Sequence, residues 1–309
     1  MAIVLVPIPI TDTMLQPGTV PAVDVDAGEL AWVSGQTVTV GSERVYNRRI
    51  WKCAVVPVNP AVSPDNDPIA WSDMRPSNRA APFDAQVQTR AVGRKGSAKY
   101  IIATKFVSGL EVRNFAGQRL KITVRDATTN EDLTPAVDRT LKTSRPSFWN
   151  YLFGSKTLIS SHRIEGIEMR PRVLVTIEVT GDAAEEVGIG YISIGSWVTL
   201  GLMDGQPGTL YGARAEAVNY TFREEAPDGS YRQLPRGSAT NLTLPVAINP
   251  NDANRVWSSI QQLKDTPVSV YASKLEKYRY LSTVGFVTTD LSPENGVMTK
   301  ANIFVKGVV

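Results

Sequence analysis

Val173-Leu174-Val175-Thr176-Ile177-Glu178-Val179-Thr180 puts Val173, Val175, Ile177 and Val179 at every second position. Successive side chains of a strand point to opposite faces, so this spacing makes one face dry and leaves the other wetter. Leu120-Lys121-Ile122-Thr123-Val124-Arg125-Asp126 repeats the pattern. Around these two runs lie others rich in Val, Ile, Thr and aromatics: Ser34 to Val40, Val45-Tyr46, Ile50 to Val56, Lys99 to Phe106 and a glycine-punctuated stretch from Val187 to Leu200. Leu242 to Ile248, Val268 to Ala272, Ser282 to Thr289 and Asn302 to Lys306 complete the set. With 23 glycines and 20 prolines spread between them, the reading is of many short strands joined by turns. The expected fold class is mainly β: antiparallel β-sandwich or jelly-roll-like domains with one or two short helices.

The clear helix signal runs from Asn249 to Lys264. Asn249 can cap the first turn and Pro250 suits the first helical position. Val256, Ile260 and Leu263 then share a face, and Pro267 blocks continuation. A weaker turn spans Pro146 to Phe153, with Gly154 as its C-terminal cap. Asn59 to Pro68 reads as a surface loop, and Thr128 to Arg145 as a long polar connection. These divide the chain into an extended N-terminal arm (1–25), a β-rich domain (26–135) and a second sandwich-like domain (136–309) carrying the helix near 250–264. The arm is proline-rich and apolar without helical period. Docking on a neighbouring subunit by strand addition is one expectation for it, and packing on its own domain is the other.

Composition narrows the function. The 309 residues are 42% hydrophobic and 20% charged, enough to bury a real core. Thirty-three Lys and Arg against thirty Asp and Glu give a net charge of +3, too small an excess for a phosphate-binding footprint. The densest cationic cluster, Arg90, Arg94, Lys95 and Lys99, reads as a solvated loop, so nucleic acid is not an expected partner. Cys53 is the single cysteine, which leaves no intramolecular disulfide and suits assembly in a reducing cytoplasm. No apolar run reaches the ~20 residues that span a bilayer, and the apolar N-terminus has no preceding Lys or Arg of a secretory signal.

Catalytic patterns are missing. His162 is the only histidine, so any triad or imidazole metal site would have to use it. Gly190 to Gly195 has phosphate-loop spacing, but Ser196-Trp197 stands where the lysine should be. Gly188, Gly190 and Gly195 read instead as close approaches within strands. Asp65, Asp67 and Asp73 lack the distal glutamate of a calcium loop, and Glu224, Glu225 and Asp228 read as a turn. No cofactor and no catalytic residue are expected.

Two stretches carry a family resemblance. Val45-Tyr46 through Trp51-Lys52-Cys53, then Ala70-Trp71-Ser72-Asp73-Met74-Arg75-Pro76-Ser77-Asn78-Arg79-Ala80-Ala81-Pro82-Phe83-Asp84, resembles the pattern Tyr…Trp…Gly-Pro-Thr-Asn-Arg-x-x-x-Phe-Asp. That pattern belongs to a group of tailed-bacteriophage structural proteins. Ser147 to Phe153, the glycine-rich strand to Leu200-Gly201, Tyr211-Gly212-Ala213-Arg214 and Asn219-Tyr220-Thr221 follow the order of the same group's later motifs. Met74-Arg75-Pro76-Ser77 and Asn219 depart from the pattern.

The resemblance implies a virion protein of the phage tail, assembled in the host cytoplasm. Its partners would be copies of itself in a symmetric ring, other tail proteins and, for members labelled carbohydrate-binding, a host-surface glycan. Trp71, Asn78, Arg79 and Asp84 are the candidates for a structural clamp or ligand contact. In it Arg79 and Asp84 pair, and Asn78 and Asp84 cap turns. Trp149, Tyr151, Trp197 and Tyr211 are the candidate aromatic contacts. The functional expectations, in order, are a tail, collar or fibre-anchoring subunit, a carbohydrate-binding receptor module and a polysaccharide-degrading enzyme.

Overall fold

The computed structural model describes residues 2–93, 96–143, 157–203, 206–225, 230–234, 236–263 and 265–309. Its strands are β1 (Ile3–Pro7), β2 (Glu43–Tyr46), β3 (Arg49–Cys53), β4 (Trp71–Pro76), β5 (Ala91–Gly93), β6 (Ser97–Thr104), β7 (Gly109–Ala116) and β8 (Arg119–Asp126), followed by β9 (Val137–Thr140), β10 (Lys142–Thr143), β11 (Thr157–Leu158) and β12 (Ser161–Glu165). The second half adds β13 (Val173–Thr180), β14 (Val187–Thr199), β15 (Leu202–Met203), β16 (Gln206–Pro207), β17 (Arg214–Asn219), β18 (Phe222–Glu225), β19 (Tyr231–Leu234) and β20 (Ser238–Ile248). The helix α1 (Pro250–Leu263) and strands β21 (Val268–Tyr271), β22 (Ser282–Pro293) and β23 (Thr299–Gly307) close the chain.

The fold is mainly β and sandwich-like. Ten strands form one long sheet in the order β12-β7-β14-β1-β21-β22-β23-β20-β17, with β5 also on β14. A four-stranded sheet, β6-β13-β8-β9, covers one end of it. Alternation explains the cover. Tyr100 and Ile102 of β6, Leu120 and Ile122 of β8, and Val175 and Ile177 of β13 point inward and pack with Leu110, Phe115, Ile189 and Ile194 of the long sheet. At the other end α1 lays Val256, Ile260 and Leu263 on Leu244, Val246, Val270 and Ile303. The Asn249 side chain accepts the Asn251 N–H at 3.0 Å, as expected of the residue before the helix. A three-stranded sheet, β2-β3-β4, has its own small core of Val38, Cys53, Ala70 and Trp71. The Cys53 thiol is buried there, and burial raises its pKa above the ordinary value.

Three sequence expectations need correction. The boundary expected near residue 135 does not divide the sheets: β13 inserts between β6 and β8, and β7 pairs with β12 and β14. The N-terminal segment is not a free arm. β1 is a central strand between β14 and β21, with Ile3, Val4 and Leu5 almost fully buried. Leu15 to Val20 then run along the outer edge of β6, where Gln16 N–H donates to the Ile101 carbonyl at 2.9 Å and Val20 N–H to that of Lys99 at 3.1 Å. The side chains of β1 are thus buried in the chain's own sheet. Ser34 to Val40, read as a strand, is irregular. Gly35 and Gly41 take left-handed φ values of 80° and 86°, which breaks the extended path, and of the two valines there Val38 is buried and Val40 exposed.

The glycines of β14 behave as their spacing suggested. A methyl group on Gly195 would strike the Val6 carbonyl of β1, and one on Gly190 would strike the Val87 carbonyl. Among the described residues no helix is long and apolar enough to cross a membrane.

Candidate functional site

Asn78 joins two distant segments instead of capping a turn. Asn78 donates its side-chain amide to Asp24 Oδ2 at 2.8 Å and to the Val92 carbonyl at 2.9 Å, and accepts the Val92 N–H at 2.7 Å. Its own N–H donates to Glu29 Oε1 at 2.7 Å. Glu29 Oε2 accepts the Asp24 N–H at 2.8 Å. One amide thus ties the 24–29 loop to β5, and every polar atom of its side chain is used. Asp24 and Glu29 are the partners that sequence reading missed. Both are buried carboxylates held by N–H donors, and neither had a motif to mark it.

Arg79 and Asp84 do not pair. The Arg79 carbonyl accepts the Tyr100 hydroxyl at 3.1 Å while its Nε is buried without a partner. Burial pushes the Tyr100 hydroxyl well above its ordinary pKa. Asp84 accepts the Gln86 N–H at 2.8 Å on one oxygen, and the other is buried without a partner. Burial raises the Asp84 pKa, and the Gln86 N–H opposes that rise. Trp71 is buried against Cys53. Trp71 is an interior group, while Asn78, Arg79 and Asp84 are half-buried.

The aromatic candidates separate as well. Trp197 donates its indole N–H to the Ile164 carbonyl at 2.9 Å and meets the edge of Tyr271 at 5.8 Å, and its ring fills the space beside Gly109. It is a packing residue. Tyr211 is wholly exposed in the turn before β17. Trp149 and Tyr151, with the turn at 146–154, lie outside the described residues, as do Arg94 and Lys95 of the cationic cluster. No group of three metal-ligating side chains meets among the described residues. Asp65 bonds Ser63, Asp67 caps the Ala70 N–H and Asp73 pairs with Arg49.

What the fold does place in solvent is a ribbon. β17 is the last strand of the long sheet and pairs with β20 as far as Asn219 opposite Ser238. The two chains then continue as β18 and β19, starting with Phe222 opposite Leu234. Three steps on one strand face four on the other, so the register shifts by one residue between the two pairings, as at a bulge. Across it Tyr220 N–H donates to the Gly237 carbonyl at 3.2 Å, and Arg236 N–H to Thr221 Oγ1 at 3.4 Å. Beyond the bulge the ribbon is a two-stranded sheet on its own. Phe222 and Leu234 share one face with Glu224 and Arg232, and Tyr231 lies on the other. Phe222, Tyr231 and Leu234 are 50%, 68% and 53% exposed. An isolated two-stranded ribbon is marginal in water, and this one spends apolar side chains on solvent.

No protein-family model, curated protein or solved structure matches this chain.

Proposed function

We propose that the chain is a structural subunit of a phage tail, acting through protein–protein contacts and not through turnover. The observation that carries the contact reading is the ribbon: an open sheet edge at β17 running into β18 and β19 with Phe222, Tyr231 and Leu234 uncovered. The opposite case is the outer edge of β6, which the chain covers with its own residues 15–20. An uncovered edge is a template for strand addition by another chain. The occupant proposed is a second copy, whose ribbon lies along β17 head to tail, the kind of contact that closes into a ring. Edge residues Arg214 and Glu216 offer opposite charges on one face of β17, which complements the mixed Glu224 and Arg232 of the ribbon. The phage assignment rests on the motif resemblance described above. Assembly in the virion and contact with other tail proteins follow from that assignment.

Sedimentation of the full chain against a variant in which residues 221–236 are replaced by Asn-Gly tests the reading. The full chain is expected as a discrete oligomer and the trimmed one as a folded monomer. A full chain that stays monomeric at high concentration, or a trimmed chain that still assembles, overturns it. A host-glycan reading is favoured by the exposed Tyr211 ring, and a glycan array with Tyr211→Ala as the control decides it.

A further inference from the structure

Three strands of the four-stranded sheet stop at one level. Thr104 ends β6, Asp126 ends β8 and Val173 begins β13, and the register sets the three side by side. The chain that leaves β1 crosses this end of the sheet, with Ile8 and Met14 packed on the core. Between that segment and the strand ends lies an open groove of about 490 Å3, within the range of about 300–1,000 Å3 that small-molecule clefts occupy.

The walls are apolar, made mostly by Ile8, Pro9, Met14, Pro171 and Val173. Among the described lining residues three side chains are polar: Thr104, Lys105 and Arg172. Thr104 is only 8% exposed, and its Oγ1 is buried with no hydrogen-bond partner. An unpaired buried hydroxyl costs the fold free energy, and its hydrogen rotates to suit whatever acceptor arrives. Lys105 and Arg172 stand one step beyond the paired Thr104 and Val173, and both are exposed. Their backbones are fixed. After Lys105, Phe106 holds a φ of 51°, a left-handed value that bulky residues avoid, and its N–H donates to the Arg170 carbonyl at 2.9 Å. The Arg172 carbonyl accepts the Ala127 N–H at 3.0 Å.

Charge and shape together select the ligand. Among the described residues no carboxylate lines the groove, and neither Lys105 nor Arg172 is in an ion pair. The acids that lie near them in the chain are engaged elsewhere. Glu168 pairs with Arg170 at 2.7 Å, Asp12 reaches Arg48 at 3.8 Å, and one Asp126 oxygen accepts the Thr128 and Thr129 N–H groups. Two like charges beside an apolar trough complement an anion with a hydrocarbon body. A small hydrophilic anion would leave the walls wet, and an uncharged chain would leave both cations unused.

The geometry points to a binding site for one alkyl carboxylate of the fatty-acid type. Its carboxylate lies between Lys105 and Arg172 and accepts the Thr104 hydroxyl, while its chain runs along Ile8, Met14 and Pro171. No residue of the β18–β19 ribbon lines this groove, so the site stands or falls independently of the assembly reading.

The test titrates the full chain calorimetrically at pH 7, where alkyl carboxylates are ionised, with sodium decanoate, hexanoate, acetate and decyltrimethylammonium. One decanoate per chain is expected. It should bind at least tenfold more tightly than hexanoate, since each buried methylene adds roughly fourfold. Acetate and decyltrimethylammonium should show no saturable binding. The double variant Lys105→Ala with Arg172→Ala changes exposed positions only and should bind decanoate at least tenfold more weakly. Thr104→Val should weaken binding several-fold and leave the denaturation midpoint level or higher, a combination that a purely structural threonine would not give. Absence of saturable decanoate binding, equal binding of decyltrimethylammonium, or unchanged decanoate affinity in the folded double variant overturns the site. Association with phosphatidylglycerol vesicles in place of decanoate overturns it in favour of a membrane surface.

Discussion

β20 and β19 are neighbouring stretches of one strand direction, separated by a bulge, and they live in different worlds. In β20, Leu242, Leu244, Val246 and Ile248 are buried under α1 and against β23. In β19 every residue from Tyr231 to Leu234 is exposed. Both pair antiparallel with a strand that also continues across the bulge. Hydrogen-bond pairing is thus the same in kind on both sides, and what differs is cover. Sheet pairing alone leaves apolar faces wet, and only a second layer recovers their transfer free energy. In the body of the protein the chain supplies that layer itself, and at the ribbon it does not.

The contrast breaks hardest at β1, a segment that reads as a loose arm and is built as core. Deleting residues 2–10 removes Ile3, Val4 and Leu5. At roughly 1.5–3 kcal/mol for each buried side chain, the loss is about 5–9 kcal/mol, comparable with the whole net stability of a domain. It also strips β14 and β21 of their shared partner. The truncated chain is expected to lose its cooperative unfolding transition by circular dichroism. A truncated chain that folds and merely fails to assemble would restore the arm. The same contrast is sharpened within the ribbon's own strands. Leu244→Ala is expected to cost about 2–5 kcal/mol in chemical denaturation, because it opens a cavity in a filled core. Leu234→Ala should stay within about 0.5 kcal/mol and act on the sedimentation profile instead. A large stability loss at Leu234 would mean the ribbon is covered by its own chain.

Much of this was legible in the sequence, for a physical reason. β8 and β13 bury alternate residues, so period two marked them. α1 announced itself through Asn249, Pro250 and a one-sided apolar stripe. Domain limits were not legible, because antiparallel pairing joins segments far apart in sequence: β13 begins at Val173 and sits between β6, which ends at Thr104, and β8, which ends at Asp126, and no local signal encodes which edges meet. Ser34 to Val40 misled because β propensity describes a residue's fit to a covered, pleated surface, and there no neighbouring strand forms that surface. For the sites, composition marked His162 as the single histidine and gave it no role. The groove around Thr104 draws on Ile8, Lys105 and Arg172 from three separate segments, and only folding assembles them. The Asn78 clamp was half visible: the amide stood out in a turn-rich stretch, while its partners Asp24 and Glu29 lay some 50 residues upstream.

The smallest effects come from two aspartates that each serve a turn. Asp126 accepts the Thr128 N–H at 2.7 Å and the Thr129 N–H at 3.3 Å on one oxygen. The Thr128 bond above all lowers its pKa, and Arg170 adds to this. Asp84 has one such N–H and an unpartnered buried oxygen, and burial raises its pKa. The signs are therefore opposite. A depressed carboxylate stabilises the fold above its unfolded value near 3.9, and that contribution is lost as pH falls through the folded value. A raised one favours the fold below the unfolded value, and the benefit is lost as pH rises through the folded value. Asparagine keeps the accepting oxygen at both positions and removes only the charge. Asp126→Asn should lower the melting temperature at pH 7, and the gap from the parent should close as pH falls below about 4. Asp84→Asn should lose less at pH 7, or gain, with its difference also fading in acid. Equal losses at pH 7 would show that turn geometry, and not the balance of burial against N–H donors, governs both sites.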